Sequence, residues 1–459
     1  MRVDQLLAAA GGILTAGSAD TEFNGAAVDS RCIKGGELFV ALPGARSDGH
    51  EYVQAAVKAG AAAVMVSGEA GSDTGKAAVI RVDDTLSALQ AAALSHRLSW
   101  PGRVAGVTGS VGKTGTREIC AALLSGRYSV LRNEKNYNNE IGVPLTLLSL
   151  TADHEVAVIE MGMRGRGEIA ELARLARPEV GLVTCIGETH IERLGSIENI
   201  ARAKAELIQA LPENGTAVLP VDDQYFSLLR ELSPVRCITF GLDAAADIRG
   251  ESISEQENGT GFDICFGGER ARAFIPLPGR HNVLNSLAAV ATAVSLGLSL
   301  DECTAGLSCL RGCSMRLEML QSCGGIRIIS DVYNASPASV RAAIDVLSGT
   351  QAKRRIAVLA DMLELGEASD RLHREIGVYA VERGVDLLFT CGSHAAGIGL
   401  GAAAAGMEKE RIRHFSDKRD LAAILSDTAS ADDVILVKGS RGMAMEEIVD
   451  ILLKCEVRN

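Results

Sequence analysis

The stretch that most constrains this chain runs from Val104 to Ile119, VAGVTGSVGKTGTREI, where a short apolar run breaks into glycines and then into a helix opened by Lys113 and Thr114. An apolar strand ending in a glycine-rich turn aims successive backbone N–H groups at an anion, and the following helix adds the positive end of its dipole. Gly109, Ser110, Val111 and Gly112 therefore read as a phosphate cradle. Lys113 would neutralise the outer phosphates and the Thr114 hydroxyl would ligate Mg²⁺. The spelling departs from the common G-x-x-x-x-G-K-[ST] pattern, because Val107 stands where the first glycine is usual and the glycines are Gly106, Gly109 and Gly112. On this stretch alone an ordinary strand-turn-helix stays open.

Length and composition say what surrounds it. At 459 residues the chain exceeds what one hydrophobic core supports, and about three domains are expected. A hydrophobic content of 47% with only 3% aromatic residues and 49 glycines suits Ala/Val/Leu-rich α/β domains. The formal net charge of -12 argues against a sequence-independent grip on nucleic acid, which needs a basic footprint. Eleven cysteines are scattered with no C-x-x-C pair, and Cys309, Cys313 and Cys323 form only a loose trio, so free buried thiols in a reducing cytosol are expected. The start, MRVDQLLAAAGGILTAGSA, resembles a signal peptide, but Asp4 enters early and Gly11-Gly12 interrupt it; a short amphipathic helix is predicted instead. The longest uncharged run, Asn282 to Leu300, carries too many polar groups for a bilayer span. A cytoplasmic monomer without a membrane segment is expected.

Residues 1–99 alternate small strands (GELFVAL, AAAVMVS, AAVIRV) with helical stretches such as Thr85 to Leu98, and Pro101-Gly102 ends the unit. Residues 100–313 carry the cradle and then YSVLRN, EVAVIEMG, VGLVTCIG and TAVLPV, with crossover helices between them. Apolar strands alternating with helices imply a parallel sheet buried on both faces, whose ligands sit beyond the carboxyl ends of the strands. The cradle, Asn136 to Asn139 (Asn138 among them), Glu160 and His190 all fall at such ends. Glu160 is placed like a Mg²⁺-holding carboxylate, with a helix cap or solvated edge left open. His190 alone reads as a structural histidine. Lys204, in the helix from Ile197 to Ala210, looks like a solvated helix lysine.

FDICFGG and ARAFIPL, with Asn258-Gly259 between flanking segments, predict an antiparallel excursion. PLPGRHNVLNSLAAVATAV then opens a helix with Asn282 and Asn285 on one face, suited to reading a base edge or capping a loop. Residues 314–459 form a third α/β unit built on IRIISDVYN, IAVLADM, LLFTCG and VILVKG, with polar clusters again at strand ends.

Taken jointly, VDSRCIKGGELFVALPGARSDGHEY, GVTGSVGKTGTRE, NYNNEIGVPLTLL, EMGMRGRGEI, IGETHIERLGS, AKAEL, GRHNVLNSLAA, DVYNASPASVRAA, ADMLELGE and VKGSRGMAMEEIV resemble the Mur ligase family over essentially the whole chain. The cradle's glycine spacing is usual in that family, which accounts for Val107. The resemblance implies a small N-terminal α/β domain binding a UDP-sugar, a central P-loop parallel-sheet ATPase domain and a C-terminal Rossmann-like domain binding the incoming amine. It implies ATP and two Mg²⁺ as cofactors. It makes Lys113 and Thr114 the phosphate and Mg²⁺ contacts, Glu160 a Mg²⁺ ligand and His190 a second-metal ligand. Lys204 matches the family's carbamylated lysine, Asn282 its adenine reader, Arg316 a nucleotide contact and Asp331 its ribose contact. Ser30 and Arg31 fall in the block that holds the UDP-sugar, while Asn334, Ser336, Ser440 and Arg441 are expected around the incoming amine. Gly115 departs from the Thr or Ser more usual there.

Within the family the likeness is greatest to the member that joins D-alanyl-D-alanine to UDP-N-acetylmuramoyl-tripeptide through an acyl phosphate. The ligase that adds the third residue typically shows D-N-P-R and an ending in K-G-H-E, whereas this chain has Lys438-Gly439-Ser440-Arg441. Folylpolyglutamate synthase shares the cradle and core. A nucleotide switch without ligation is the reading from another class, and it has no use for Glu160, His190 and Lys204 together.

Overall fold

The computed structural model describes residues 1–44, 47–69, 74–134, 136–256, 259–310 and 317–454. Three sheets organise them. The first has the strand order Ile13–Ala16, Ala78–Arg81, Ala63–Val66, Leu38–Val40, Ala26–Ala27, parallel except at the Ile13–Ala16 edge. Leu38–Val40 and Ala63–Val66 are wholly buried, as unbroken apolar runs covered on both faces must be. The edge strands Ile13–Ala16 and Ala26–Ala27 have no such pattern, being short and largely exposed or partly so. The N-terminal helix Val3–Ala10 is amphipathic as predicted, burying Val3 and Leu6.

The central sheet has nine strands, ordered Glu269–Ile275, Gly259–Phe266, Ile248–Gln256, Arg236–Gly241, Thr216–Pro220, Val180–Val183, Arg103–Thr108, Val156–Glu160, Val130–Arg132. It is parallel from Val130–Arg132 to Ile248–Gln256, and only the last two strands run as antiparallel hairpins. The predicted excursion is therefore the edge of the main sheet; Asn258 lies outside the described residues. Arg103–Thr108 lies between the two strands that follow it on either side, Val156–Glu160 and Val180–Val183, so the chain reverses its direction of travel across the sheet there. That is where open α/β sheets gather ligands.

The third sheet runs Glu318–Gln321, Arg327–Asp331, Asp433–Lys438, Arg354–Ala360, Leu387–Cys391, Ile412–Phe415, parallel except for its Glu318–Gln321 edge. Its four inner strands match the four apolar runs read from the sequence; the two edge strands, partly exposed, do not stand out as runs. Among the described residues no helix is long and apolar enough to cross a membrane.

The cysteines correct one expectation. All nine described cysteines are free, but only Cys120, Cys303 and Cys391 are fully buried, while Cys32, Cys309 and Cys323 are exposed. Cys32 closes a 3-10 turn and Cys309 follows the helix Leu300–Ser308, positions where no sheet or helix face covers a side chain. Cys313 lies outside the described residues.

Candidate active site

The strand Arg103–Thr108 ends in the turn 109–112, and the helix Lys113–Leu124 starts at once. Ser110 N–H donates to the Cys185 carbonyl (2.8 Å), and the Ser110 hydroxyl donates to Gly187 O (3.1 Å). Thr184 Oγ1 donates to Val111 O at 2.5 Å. The turn is thus fastened from outside by residues 184–187, through the Ser110 N–H and hydroxyl and the Val111 carbonyl. Two glycines are obligatory. Gly109 has φ 147° and an added Cβ would lie 1.9 Å from Thr184 Oγ1; Gly112 has φ 85° and a Cβ would lie 2.5 Å from Asn285 Oδ1. The departure at Val107 has a reason too. Val107 is buried inside the strand, opposite Glu160, and the glycine beside it, Gly106, lets Leu207 pack directly on the backbone, since a Cβ there would meet Leu207 Cδ1 at 2.8 Å.

Glu160 ends the adjacent strand and is 2% exposed, which excludes the solvated-edge reading. Its Oε2 accepts from Thr114 Oγ1 (2.9 Å) and Arg117 Nη1 (3.2 Å), and its Oε1 accepts from Asn138 Nδ2 (2.7 Å). Its backbone N–H donates to Asn133 Oδ1 at 2.6 Å. A carboxylate and a hydroxyl side by side at the mouth of a phosphate cradle are the hard oxygen donors Mg²⁺ takes, with phosphate and water filling its other positions. The residues present therefore suit that ion. Among the described residues there is no cluster of three His, Cys, Asp or Glu of the kind that cages a metal by itself.

Lys113 Nζ turns back to donate to Gly109 O (2.7 Å) and Ser110 O (3.3 Å). Lys204, on the helix Ile197–Gln209, donates to the same Gly109 carbonyl at 2.9 Å and is 2% exposed, which corrects the solvated-lysine reading. Burial, and then the Lys113 charge, hold its amine well below the usual lysine range. The signal was in the pattern: Ala201, Lys204, Ala205 and Ile208 are i, i+3, i+4 and i+7 of one face, so the lysine stands inside the apolar stripe. Arg117 is hidden in the same way, among buried Cys120, Ala121 and Leu124.

His190 caps the short helix Ile191–Leu194 with φ 61°, and its Nδ1 lies 2.6 Å from Glu364 Oε2. Burial lowers its pKa, against the pull of Glu364. Asn282 and Asn285 sit in the first turns of the helix Arg280–Ser295; Asn282 Nδ2 donates to Pro278 O (2.8 Å), and Asn285 lies against Gly112. Asp331 ends its strand and accepts from Lys438 Nζ, 2.5 Å away on the neighbouring strand. Lys438 also donates to Asn334 O at 2.9 Å.

These groups share one cavity of about 980 Å³ between the central and third units. Its wall includes residues 110–115, Asn138, Glu160, His190, Lys204, Asn282, Asp331, Asn334 and Ser336. Five expected site residues do not line it: Gly109, next to the wall residue Ser110, and four that stand further off. Ser30 and Arg31 form a 3-10 turn elsewhere, with Arg31 exposed and paired to Asp29 at 2.7 Å. Ser440 is buried and bonded inside its own unit, and Arg441 pairs with Glu446 at 3.0 Å. Arg316 lies outside the described residues. Sequence reasoning missed Asn133 and Arg117, and gave no role to Glu364 and Lys438 although both fall in polar clusters at strand carboxyl ends.

A parallel sheet with a phosphate loop, a buried carboxylate at the next strand end and a further α/β unit closing the same cavity define a multi-unit nucleotide-dependent ligase. The Mur ligase middle domain matches residues 107–293, the Mur ligase glutamate ligase domain residues 315–441, and the Mur ligase family catalytic domain residues 22–97. UDP-N-acetylmuramoyl-tripeptide--D-alanyl-D-alanine ligase of Bacillus subtilis is 40% identical over 95% of this chain and 94% of its own. MurF from Acinetobacter baumannii superposes with a TM-score of 0.88 at 29% identity, covering 98% of each chain. The MurF ligase from Thermotoga maritima, solved in complex with ADP, does so with 0.79 at 28% identity, over 94% of this chain and 97% of that one. The chain belongs to the Mur ligase family.

Proposed function

We propose that this enzyme joins D-alanyl-D-alanine to UDP-N-acetylmuramoyl-tripeptide with ATP, giving the pentapeptide, ADP and phosphate, in the cytoplasm. The observation that carries this is the convergence of cradle, Lys113, Glu160, His190 and Lys204 with Asn334 and Ser336 of the third unit on one cavity; relatives of full length bearing that activity's name support it. Residues 1–99 hold the UDP-sugar with Ser30 and Arg31, residues 100–313 the nucleotide, and residues 314–459 the dipeptide.

In the first step a carboxylate oxygen of the tripeptide attacks the γ-phosphorus and the bond to ADP breaks. In the second the dipeptide amine attacks the acyl carbon, loses its proton, and phosphate leaves. Both steps gather negative charge, which the N-terminus of the helix Lys113–Leu124 stabilises, joined by Lys113 once its amine turns from the Gly109 and Ser110 carbonyls to the phosphates. Thr114 and Glu160 would hold one Mg²⁺, and His190 with Lys204, as its carbamate, would hold a second. When bound, these ions neutralise the repulsion between carboxylate and γ-phosphate. Lys204 suits carbamylation because its burial favours the neutral amine, which adds to CO₂ with loss of a proton and so becomes an oxygen donor. Asn282 reads the adenine, Asp331 the ribose, and Asn334 and Ser336 face the dipeptide.

The test is phosphate release over a matrix of UDP-muramoyl peptides and amines. Release is expected only when tripeptide and D-alanyl-D-alanine are both present. Preference for a single amino acid would move the activity to another ligase of the family.

A further inference from the structure

His190 belongs to the central unit and Glu364 to the third, yet Nδ1 of one lies 2.6 Å from Oε2 of the other. The approach is close but off the line of a regular hydrogen bond, as is common before substrates tighten a site. Both residues hold left-handed backbone, φ 61° and 64°, which is uncommon away from glycine. Gly366 follows at φ 53°, and an added Cβ would lie 3.2 Å from Glu192 Cβ, so the turn carrying Glu364 is pressed against the helix that His190 caps.

The same loop is tied at its other end to the segment expected to face the dipeptide. Leu363 N–H donates to Ser440 Oγ (2.9 Å), Ser440 N–H donates to Asp361 O (3.1 Å), and the Ser440 hydroxyl donates to Ala335 O (3.3 Å). Ala335 sits between Asn334 and Ser336. A short hydrogen-bonded path therefore runs from the segment expected to face the dipeptide through Ser440 and Leu363 to Glu364, and by a close approach across the unit boundary to His190.

A histidine that ligates a metal through one ring nitrogen is held in tautomer and orientation by an acceptor on the other, most often a carboxylate or carbonyl. We propose that Glu364 is that acceptor for His190: a positioning residue by which the third unit completes the second cation site of the central unit. Resting on the cation role given to His190 above, this makes the site dependent on closure. With the third unit docked, Glu364 engages Nδ1 and leaves Nε2 as the ligating nitrogen; with it swung away, the ring has lost its orienting partner. Cation binding and docking of the amine-carrying unit are then linked, and each strengthens the other.

The experiment is a Mn²⁺ titration of the full-length enzyme saturated with a non-hydrolysable ATP analogue, followed by electron paramagnetic resonance. It compares wild type, His190→Ala, Glu364→Ala, Glu364→Gln and the double alanine variant. Glu364 is half exposed, so its variants are expected to fold, and an unchanged circular dichroism melt checks this. Wild type is expected to bind two Mn²⁺. Glu364→Ala should weaken only the second, by about 10- to 100-fold; Glu364→Gln, which keeps an acceptor oxygen, should weaken it less. The double variant should be no weaker than His190→Ala. Wild-type second-site affinity in Glu364→Ala, alongside a loss in His190→Ala, overturns the positioning role alone. Unchanged binding in His190→Ala overturns the cation role of His190 and this inference with it.

Discussion

Lys113 and Lys204 donate to one and the same acceptor, the Gly109 carbonyl, at 2.7 Å and 2.9 Å. Two amines converging on a single carbonyl in a buried pocket cannot both hold a full charge cheaply, and the more buried of them, Lys204, is the one whose amine is pushed down. The arrangement separates their places: Lys113 stands at the cavity wall, and Lys204 is the buried amine held down by burial and by the Lys113 charge.

Lys113→Ala should leave the fold intact and reduce phosphate release by at least about 100-fold, since a preorganised donor aimed at developing charge acts on the transition state and not on the core. The coupled ADP assay together with a thermal melt reads both halves. A folded variant with wild-type turnover would remove the phosphate role.

Lys204→Ala should collapse activity, and acetate or formate should restore part of it by supplying an anion where the carbamate stood. In wild type equilibrated with ¹³C-bicarbonate, a carbamate carbon resonance is expected that the variant lacks. Full turnover of Lys204→Ala without added acid would eliminate the carbamate.

Glu160→Ala is expected to destabilise as well as inactivate. Arg117 is buried between Glu160 and Glu118, and removing one partner of a buried pair costs about 3 kcal/mol. For a unit of this size that is a fall of roughly 6–12 °C in the melting midpoint. Glu160→Gln, which keeps an acceptor for Thr114 but not the charge facing Arg117, should lie between. An unchanged midpoint in Glu160→Ala would show that Glu118 alone satisfies Arg117.

What the sequence made legible follows from how each feature is encoded. The inner strands of all three sheets are unbroken apolar runs, and their carboxyl ends carry the polar clusters, so the parallel sheets and most of the cavity wall could be read directly. Edge strands such as Ile13–Ala16 and Ile412–Phe415 bury too little to leave a pattern. Apart from the family resemblance, which singled out Lys204, Lys204 and Arg117 show in the pattern only as charges inside an apolar stripe. The Asp331–Lys438 pair joins residues 107 positions apart through strand register, and His190–Glu364 joins two separate units. No local pattern encodes either.

His281 gives the last prediction, in pH. It lies in the cavity wall, surrounded by protein though not wholly closed off, and burial pushes its imidazole down to about 4, opposed by Asp331 and reinforced by Lys438. In the unfolded chain it titrates near its ordinary value of 6.5. Between those values the unfolded state binds the extra proton, so stability rises with pH from 4 to 6.5 and is independent of this group above that window. At pH 5 the penalty relative to pH 7 is at most about 2 kcal/mol, at 1.36 kcal/mol per unit. His281→Gln should therefore narrow the gap between melting midpoints at pH 7 and pH 5, over the background set by the carboxylates. If the gap is as wide in the variant as in wild type, His281 is solvated enough to titrate normally, and its burial contributes nothing to acid sensitivity.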